Sequence, residues 1–285
     1  MTAYLYAFIL ICIDSEAVIT VISMFQADCH LHTNNSFDTN TRMQEQCEAA
    51  IRVGLTEICF TEHFSLDPQV PTYGYMDWAH YNQDLQNSIQ WCEDRLTIRK
   101  GVELCEPYHF QNGYREILAR ERFDLVTGSV HNVEGKKLRA LVQEYGTQGA
   151  YDAYFTELRK LVQKADIDVV AHFDLIKRYC GKPLGKREFS QNRTSIEDCL
   201  KIIVARGLTL EVNASTLPFL GQTMPGEDIL RLYRSLGGSR ITFGSDAHRP
   251  EDVGAGREEA STLTKACGFT EYLTFKAREG ILHTL

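Results

Sequence analysis

From residue 24 onward, short apolar runs alternate with longer stretches in which apolar positions recur every three to four residues, as on one face of a helix. The runs predict seven strands, at Phe25–His32, Glu57–His63, Ile98–Glu103, Leu125–His131, Asp168–His172, Thr209–Asn213 and Arg240–His248. Helices are expected between them, at Met43–Val53, Tyr81–Asp94, Tyr151–Lys164, Ser195–Ala205 and Glu227–Leu236. A strand that returns to a strand through a helix builds parallel sheet. No G-x-G-x-x-G or Walker-type sequence is present, so a nucleotide-binding doubly wound sheet lacks its signature and a closed α/β barrel is the simpler expectation. Either architecture gathers its functional groups at the carboxyl ends of the strands.

Polar residues that break the pattern fall at those ends. His30 and His32 close the first strand as His-Leu-His, and alternate strand residues share a face, so both imidazoles can reach one ion. The last strand repeats the device as Asp246-Ala247-His248. Two such pairs at opposite ends of a cyclic fold become neighbours when the barrel closes. His63, Glu103, His131 and His172 end the intervening strands, and Asp38 lies in the first loop. Any one of these could be an ordinary hydrogen-bonded strand-end residue. Six of the nine histidines on one predicted face, with His80, His109 and His283 elsewhere, instead point to a metal site. Imidazole and carboxylate without thiolate suit zinc, iron or manganese.

Bulk composition narrows the classes. The 285 residues are 44% apolar and 24% charged with a net charge of −8, an ordinary globular balance without the basic excess of a nucleic-acid binder. One domain, residues 24–285, is expected. The nine cysteines are scattered and never spaced Cys-x-x-Cys, which reads as reduced thiols in a cytoplasmic protein. Cys29 points away from the His30 face and is expected in the core. Tyr4–Ile13 is too short to span a bilayer and lacks the flanks of a signal peptide. Residues 1–23 are therefore expected to be a dispensable extension, with no membrane partner.

The segments Asp28-Cys29-His30-Leu31-His32-Thr33, Phe60-Thr61-Glu62-His63, Gly101-Val102-Glu103, Gly128-Ser129-Val130-His131, Ala171-His172-Phe173-Asp174 and Gly244-Ser245-Asp246-Ala247-His248-Arg249-Pro250 occur in this order. In them the chain resembles the polymerase and histidinol phosphatase (PHP) family, within it the histidinol-phosphatase branch, from residue 25 to about residue 262. The resemblance implies a distorted seven-stranded (β/α) barrel, TIM-like, with three divalent metal ions. It places His30, His32, Glu103 and Asp246 on one ion, with Glu103 bridging to a second held by His131 and His172. Asp38, His63 and His248 would hold the third; the Asp38 position is histidine in some relatives and carboxylate in others. Three dications against three ligand carboxylates leave a positive centre that attracts a phosphate monoester, and coordination brings the pKa of water toward about 7.

The activity so implied is hydrolysis of a small phosphate monoester, foremost L-histidinol phosphate in histidine biosynthesis. Phosphoesterase action on nucleotides or another small phosphate, and a non-catalytic metal-binding module, are the alternatives. Glu103, Asp246 and His248 are the expected catalytic ligands. Asp174 would share strand parity with His172 and could protonate the leaving alcohol, or simply order its loop. Arg178 is a candidate phosphate clamp or a solvated loop arginine, and Arg249 a weaker candidate. Tyr73, Tyr75 and Trp78 could cover a substrate, but packing of their own loop is favoured. Where the branch usually carries a basic residue after its sixth strand, this chain reads Asn213-Ala214-Ser215-Thr216-Leu217-Pro218, a departure that bears on the phosphate contact and the exact substrate and leaves the expected metal ligands intact.

Overall fold

The computed structural model describes residues 25–285, so the expected extension at residues 1–23 lies outside the described residues. Strands β1 (Ala27–Leu31), β2 (Glu57–Phe60), β3 (His63–Phe64), β4 (Thr97–Cys105) and β5 (Leu125–Ser129) are followed by a small hairpin, β6 (Asn132–Val133) and β7 (Lys136–Lys137). Then come β8 (Val169–Val170), β9 (Thr209–Asn213), β10 (Ile241–Gly244) and a terminal hairpin, β11 (Glu271–Lys276) and β12 (Glu279–Thr284). The helices are α1 (Met43–Arg52), α2 (Trp78–Cys92), α3 (Gln111–Glu121), α4 (Leu138–Lys164), α5 (Ile176–Cys180), α6 (Lys186–Arg206), α7 (Leu217–Leu220), α8 (Glu227–Ser235) and α9 (Arg257–Ala266).

The parallel order β1-β2-β4-β5-β8-β9-β10 is the expected seven-stranded barrel, with β3 continuing β2 and pairing with β4. Its seam between β10 and β1 is closed just beyond the end of β10. There the Asp246 amide donates to the His30 carbonyl at 2.9 Å and the His32 amide to the Ala247 carbonyl at 2.9 Å. Asp28 reinforces the seam, its carboxylate accepting from the amides of Ser245 and Gly254, both at 2.9 Å. The two His-containing pairs thus become neighbours through backbone bonds.

Side-chain alternation divides the barrel. Leu210 and Val212 of β9 and Val102 and Leu104 of β4 join the main hydrophobic core, as does Cys29 of β1 in line with its parity. Glu103, Thr127, Thr209 and Glu211 occupy the opposite parity and are also fully buried. Apolar residues on helices α4, α6 and α8 cover the outward faces, which is the usual demand of a parallel sheet.

Two helices are longer than their apolar periodicity predicts. α6 begins at Lys186 rather than Ser195 because its first turns carry mostly exposed polar residues, with the buried stripe concentrated at Asn192, Ile196, Cys199, Leu200 and Ile203. α4 begins at Leu138 and kinks at Gly146, where φ is +67°. The β11–β12 hairpin was not expected. It packs at the amino-terminal end of the barrel: Thr242 Oγ1 donates to the Leu273 carbonyl at 2.8 Å, and the Arg278 guanidinium holds Asp168 and Asp166. Among the described residues no helix is long and apolar enough to cross a membrane.

Candidate metal centre

Residues at or close to the ends of β1, β3, β4, β5, β8 and β10 meet in one largely buried cluster, joined by Asp38 of the first loop. Around Glu103 Oε2 lie His30 Nε2 at 3.3 Å, His32 Nε2 at 3.5 Å and His63 Nδ1 at 2.8 Å. Around Glu103 Oε1 lie His172 Nε2 at 3.0 Å and His131 Nε2 at 3.5 Å. Asp246 Oδ1 stands 3.3 Å from His32 Nε2 and 3.7 Å from His30 Nε2. Asp38 Oδ2 stands 3.4 Å from His63 Nε2 and 3.2 Å from His248 Nε2. All nine proposed ligands therefore come together. His80, His109 and His283 do not: they lie against Asn35, Glu157 and Thr274.

The donor set fits divalent cations. His248 Nδ1 is 2.9 Å from the Asp246 carbonyl, so in a neutral ring it carries the hydrogen, and the Nε2 lone pair then faces an Asp38 oxygen. His30 repeats the pattern, with Nδ1 2.6 Å from Glu211 Oε1 and Nε2 3.1 Å from His32 Nε2. Acceptors facing acceptors in a buried pocket call for protons or cations between them. Among the described residues, side-chain groups suited to an ion include His30, His32 and Asp246; His30, Glu103 and His172; and His32, His63 and His248.

Electrostatics agree. Burial by itself would raise Glu103, yet the imidazoles of His63, His131 and His30 outweigh it and hold the carboxyl well below its usual range. Asp246 is held down in the same way by His30, His32 and His248. Burial, together with His63 and His248, pushes His32 down to about 3 and so favours the neutral, ligating imidazole. Strain is stored at two ligands, since His172 has φ +23° and Asp246 φ +57°.

Supporting residues surround the ligands. Glu62 accepts from the Thr33 amide at 2.9 Å, Thr33 Oγ1 at 2.5 Å and Ser36 Oγ at 2.6 Å, and Ser36 Oγ also accepts from the His63 amide at 3.0 Å. Glu106 receives the amides of His131 and Asn132. Burial raises both Glu62 and Glu106 to about 7 against the hydrogen bonds that oppose it. Sequence reasoning missed Glu211, the acid in the middle of the otherwise apolar run Leu210-Glu211-Val212. Its signal was that isolation. Cys105 was also missed: it shares parity with Glu103, and its Sγ lies 3.9 Å from His63 Nδ1. A thiol thus borders the centre, kept protonated by burial that pushes it up to about 11.

The cluster opens into a cavity of about 1300 Å³ lined by Asp38, His63, His131, His172, Asp246 and His248 on its inner side. Arg178 and Arg249 line its wall. Arg178 is exposed, its guanidinium carbon 5.7 Å from the Phe219 ring centre. Arg249 is held by Asp252, with Nε 3.0 Å from Oδ2. Asp174 is not in this cavity. The parity argument fails for it because β8 ends at Val170 and the backbone turns at His172, so Asp174 is fully buried and paired with Lys177 at 2.8 Å. Trp78 packs on Phe64 at 5.0 Å, in accord with loop packing, whereas Tyr73 and Tyr75 are exposed outside the cavity and neither line it nor pack the loop inward.

A histidinol-phosphatase of Lactococcus lactis is 27% identical over 269 residues, covering 88% of this chain and 95% of that protein. A Clostridium acetobutylicum protein named "Probable histidinol-phosphatase" is 28% identical, covering 84% and 93%. The crystal structure of the L. lactis histidinol phosphate phosphatase complexed with zinc, L-histidinol and phosphate superposes with a TM-score of 0.82 at 25% identity, over 91% of this chain and 100% of that one. The PHP domain model matches residues 28–215, which takes in seven of the nine clustered ligands and stops short of Asp246 and His248 on the closing strand. By that match over most of its length, and by the barrel that carries it, the chain belongs to the PHP domain family.

Proposed function

We propose that this chain is a metal-dependent phosphatase that hydrolyses L-histidinol phosphate to L-histidinol and phosphate, a step of histidine biosynthesis. The observation that carries this reading is the convergence of nine imidazole and carboxylate groups in one cluster, six of which line an open cavity. It is supported by the likeness, over nearly the whole chain, to a phosphatase whose crystal structure contains zinc, L-histidinol and phosphate. Three ions are proposed, zinc first and manganese or iron as alternatives, in the sets His30–His32–Glu103–Asp246, Glu103–His131–His172 and Asp38–His63–His248. Bound there, divalent ions supply a water of lowered pKa and offset the negative charge of the phosphoryl oxygens.

The protein's own groups do the rest. Glu103, with an oxygen toward each of two ligand sets, fixes their spacing. Arg178 offers guanidinium hydrogens to the phosphate from the cavity wall, and its contact with Phe219 limits the orientations it samples. Phe37, Val70, Leu217 and Phe219 supply apolar surface for an imidazole and its methylene chain. Asp174, locked to Lys177, orders the loop after β8 rather than delivering a proton. A cytoplasmic location is proposed as well, supported by the eight free thiols among the described residues.

The test is phosphate release by purified protein from L-histidinol phosphate, nucleoside monophosphates and an aryl phosphate, before and after removal and restoration of zinc. Preference for histidinol phosphate, lost on chelation and regained with zinc, is expected. Turnover of histidinol phosphate no faster than of the aryl phosphate would refute the assignment.

A further inference from the structure

We infer that Glu211 is a positioning residue that holds two of the proposed ion sites in register, and that Gly244 is a glycine in order to leave room for it. Glu211 Oε1 is 2.6 Å from His30 Nδ1, and Oε2 accepts from the His172 backbone amide at 2.6 Å. Asn213 Nδ2 gives Oε2 a further bond at 3.2 Å, and the carboxylate is buried. One side chain on β9 therefore reaches ligands on β1 and on the loop after β8. The first bond fixes the His30 tautomer: with hydrogen on Nδ1, the Nε2 lone pair is aimed at the centre. The second holds the amide of a residue whose φ of +23° is costly, and so keeps the His172 Nε2 against Glu103.

Gly244 has its explanation here. A Cβ on it would stand 2.1 Å from Glu211 Oε1 and 2.6 Å from His30 Cβ, both in the crowded interior. Its φ is not in the left-handed region, so the glycine is required by space rather than by backbone conformation. The Gly-Ser-Asp motif of the closing strand thus serves an acid on the neighbouring strand as well as the ligand Asp246.

The inference rests on the metal-centre reading above, and its test separates the two. Glu211→Gln keeps the shape but offers one acceptor and one donor, so whichever way the amide turns, either His30 Nδ1–H or the His172 amide meets a donor. Zinc affinity, measured by competition with a chromophoric chelator, is expected to fall 10–100-fold at the two sites containing His30 and His172 and to stay unchanged at the Asp38–His63–His248 site. Gly244→Ala, which displaces the carboxylate without altering its charge, should weaken the same two sites. Wild-type affinities in both variants would overturn the role of Glu211, whereas absence of zinc binding by the wild-type protein would overturn the metal centre itself. A measurement needing no variant is the ¹⁵N-histidine spectrum of the zinc-loaded wild type. It should show a downfield, slowly exchanging Nδ1–H for His30, and its absence would also overturn the inference.

Discussion

Replacing Glu103 by Ala is the sharpest perturbation of the proposed centre. The side chain is fully buried and contacts five imidazoles, with Oε2 at 2.8 Å from His63 and Oε1 at 3.0 Å from His172 as the shortest. Truncation removes a ligand from two ion sites and one negative charge from among the ions. At an effective dielectric constant of about 20, a unit charge pair 4 Å apart is worth about 4 kcal/mol, which corresponds to roughly 10³ in rate. The loss in kcat/KM for L-histidinol phosphate is therefore expected to be at least about 10³-fold, with reduced zinc content. Stability of the metal-free protein should change much less. A stranded partner of a buried ion pair typically costs about 3–5 kcal/mol, but His30 and His63, whose pKa values Glu103 helps to raise, can each release a proton and avoid that charge. The assay pairs phosphate release and zinc analysis with thermal melting of the metal-free variant. Turnover within tenfold of wild type at full zinc occupancy would refute the bridging role.

Three further outcomes are expected. In metal-free protein, Glu62 has a folded-state pKa of about 7 against an ordinary 4.5, so between those values the native state holds a proton that the unfolded chain has released. Its contribution to stability must then decline as pH rises from 4.5 to 7, by up to about 3 kcal/mol, and Glu62→Gln should remove that slope from denaturant titrations. Parallel wild-type and variant curves would show that Thr33 and Ser36 keep the carboxyl ionised throughout. Asp174→Ala leaves Lys177 buried without its carboxylate and should cost about 3–5 kcal/mol in chemical denaturation, while kcat of the folded fraction stays within a few-fold. A kcat loss of 10³ with unchanged stability would restore Asp174 as proton donor. Arg178→Ala should raise KM for histidinol phosphate about 10–100-fold, the worth of roughly 1.5–3 kcal/mol of charge-assisted hydrogen bonding, with zinc content unaffected. An unchanged KM would make it the solvated loop arginine.

The residues of the candidate metal centre were legible in the sequence because their signal is local. Pleat alternation puts His30 beside His32 whatever else the chain does, and the return from helix to strand repeats often enough to demand parallel sheet. β9 was expected at the residues where it forms, since Thr209–Asn213 is a short run bounded by Gly207 and by the turn after Asn213. Local reasoning failed where the backbone left regular geometry. Asp174 has the right spacing from His172 for a shared face, but a positive φ between strand and helix sends it into an ion pair instead. The start of α6 carries mostly polar, solvent-facing residues and so has no apolar period to read.

What the sequence by itself determined is the alternation of the seven barrel strands with helices, the set of proposed ligands at their ends and the absence of a dinucleotide-binding motif. Tertiary structure alone decided which groups support those ligands. Glu211, Glu106 and Cys105 meet the centre only because separate strands bring them there. Gly244 acquires its meaning only from an oxygen on the adjacent strand. The terminal hairpin, docked through Arg278 onto Asp166 and Asp168, likewise depends on partners more than one hundred residues away. The physical reason is the same in each case: alternation and periodicity are properties of neighbouring residues, whereas a hydrogen bond between strands exists only after the barrel has closed.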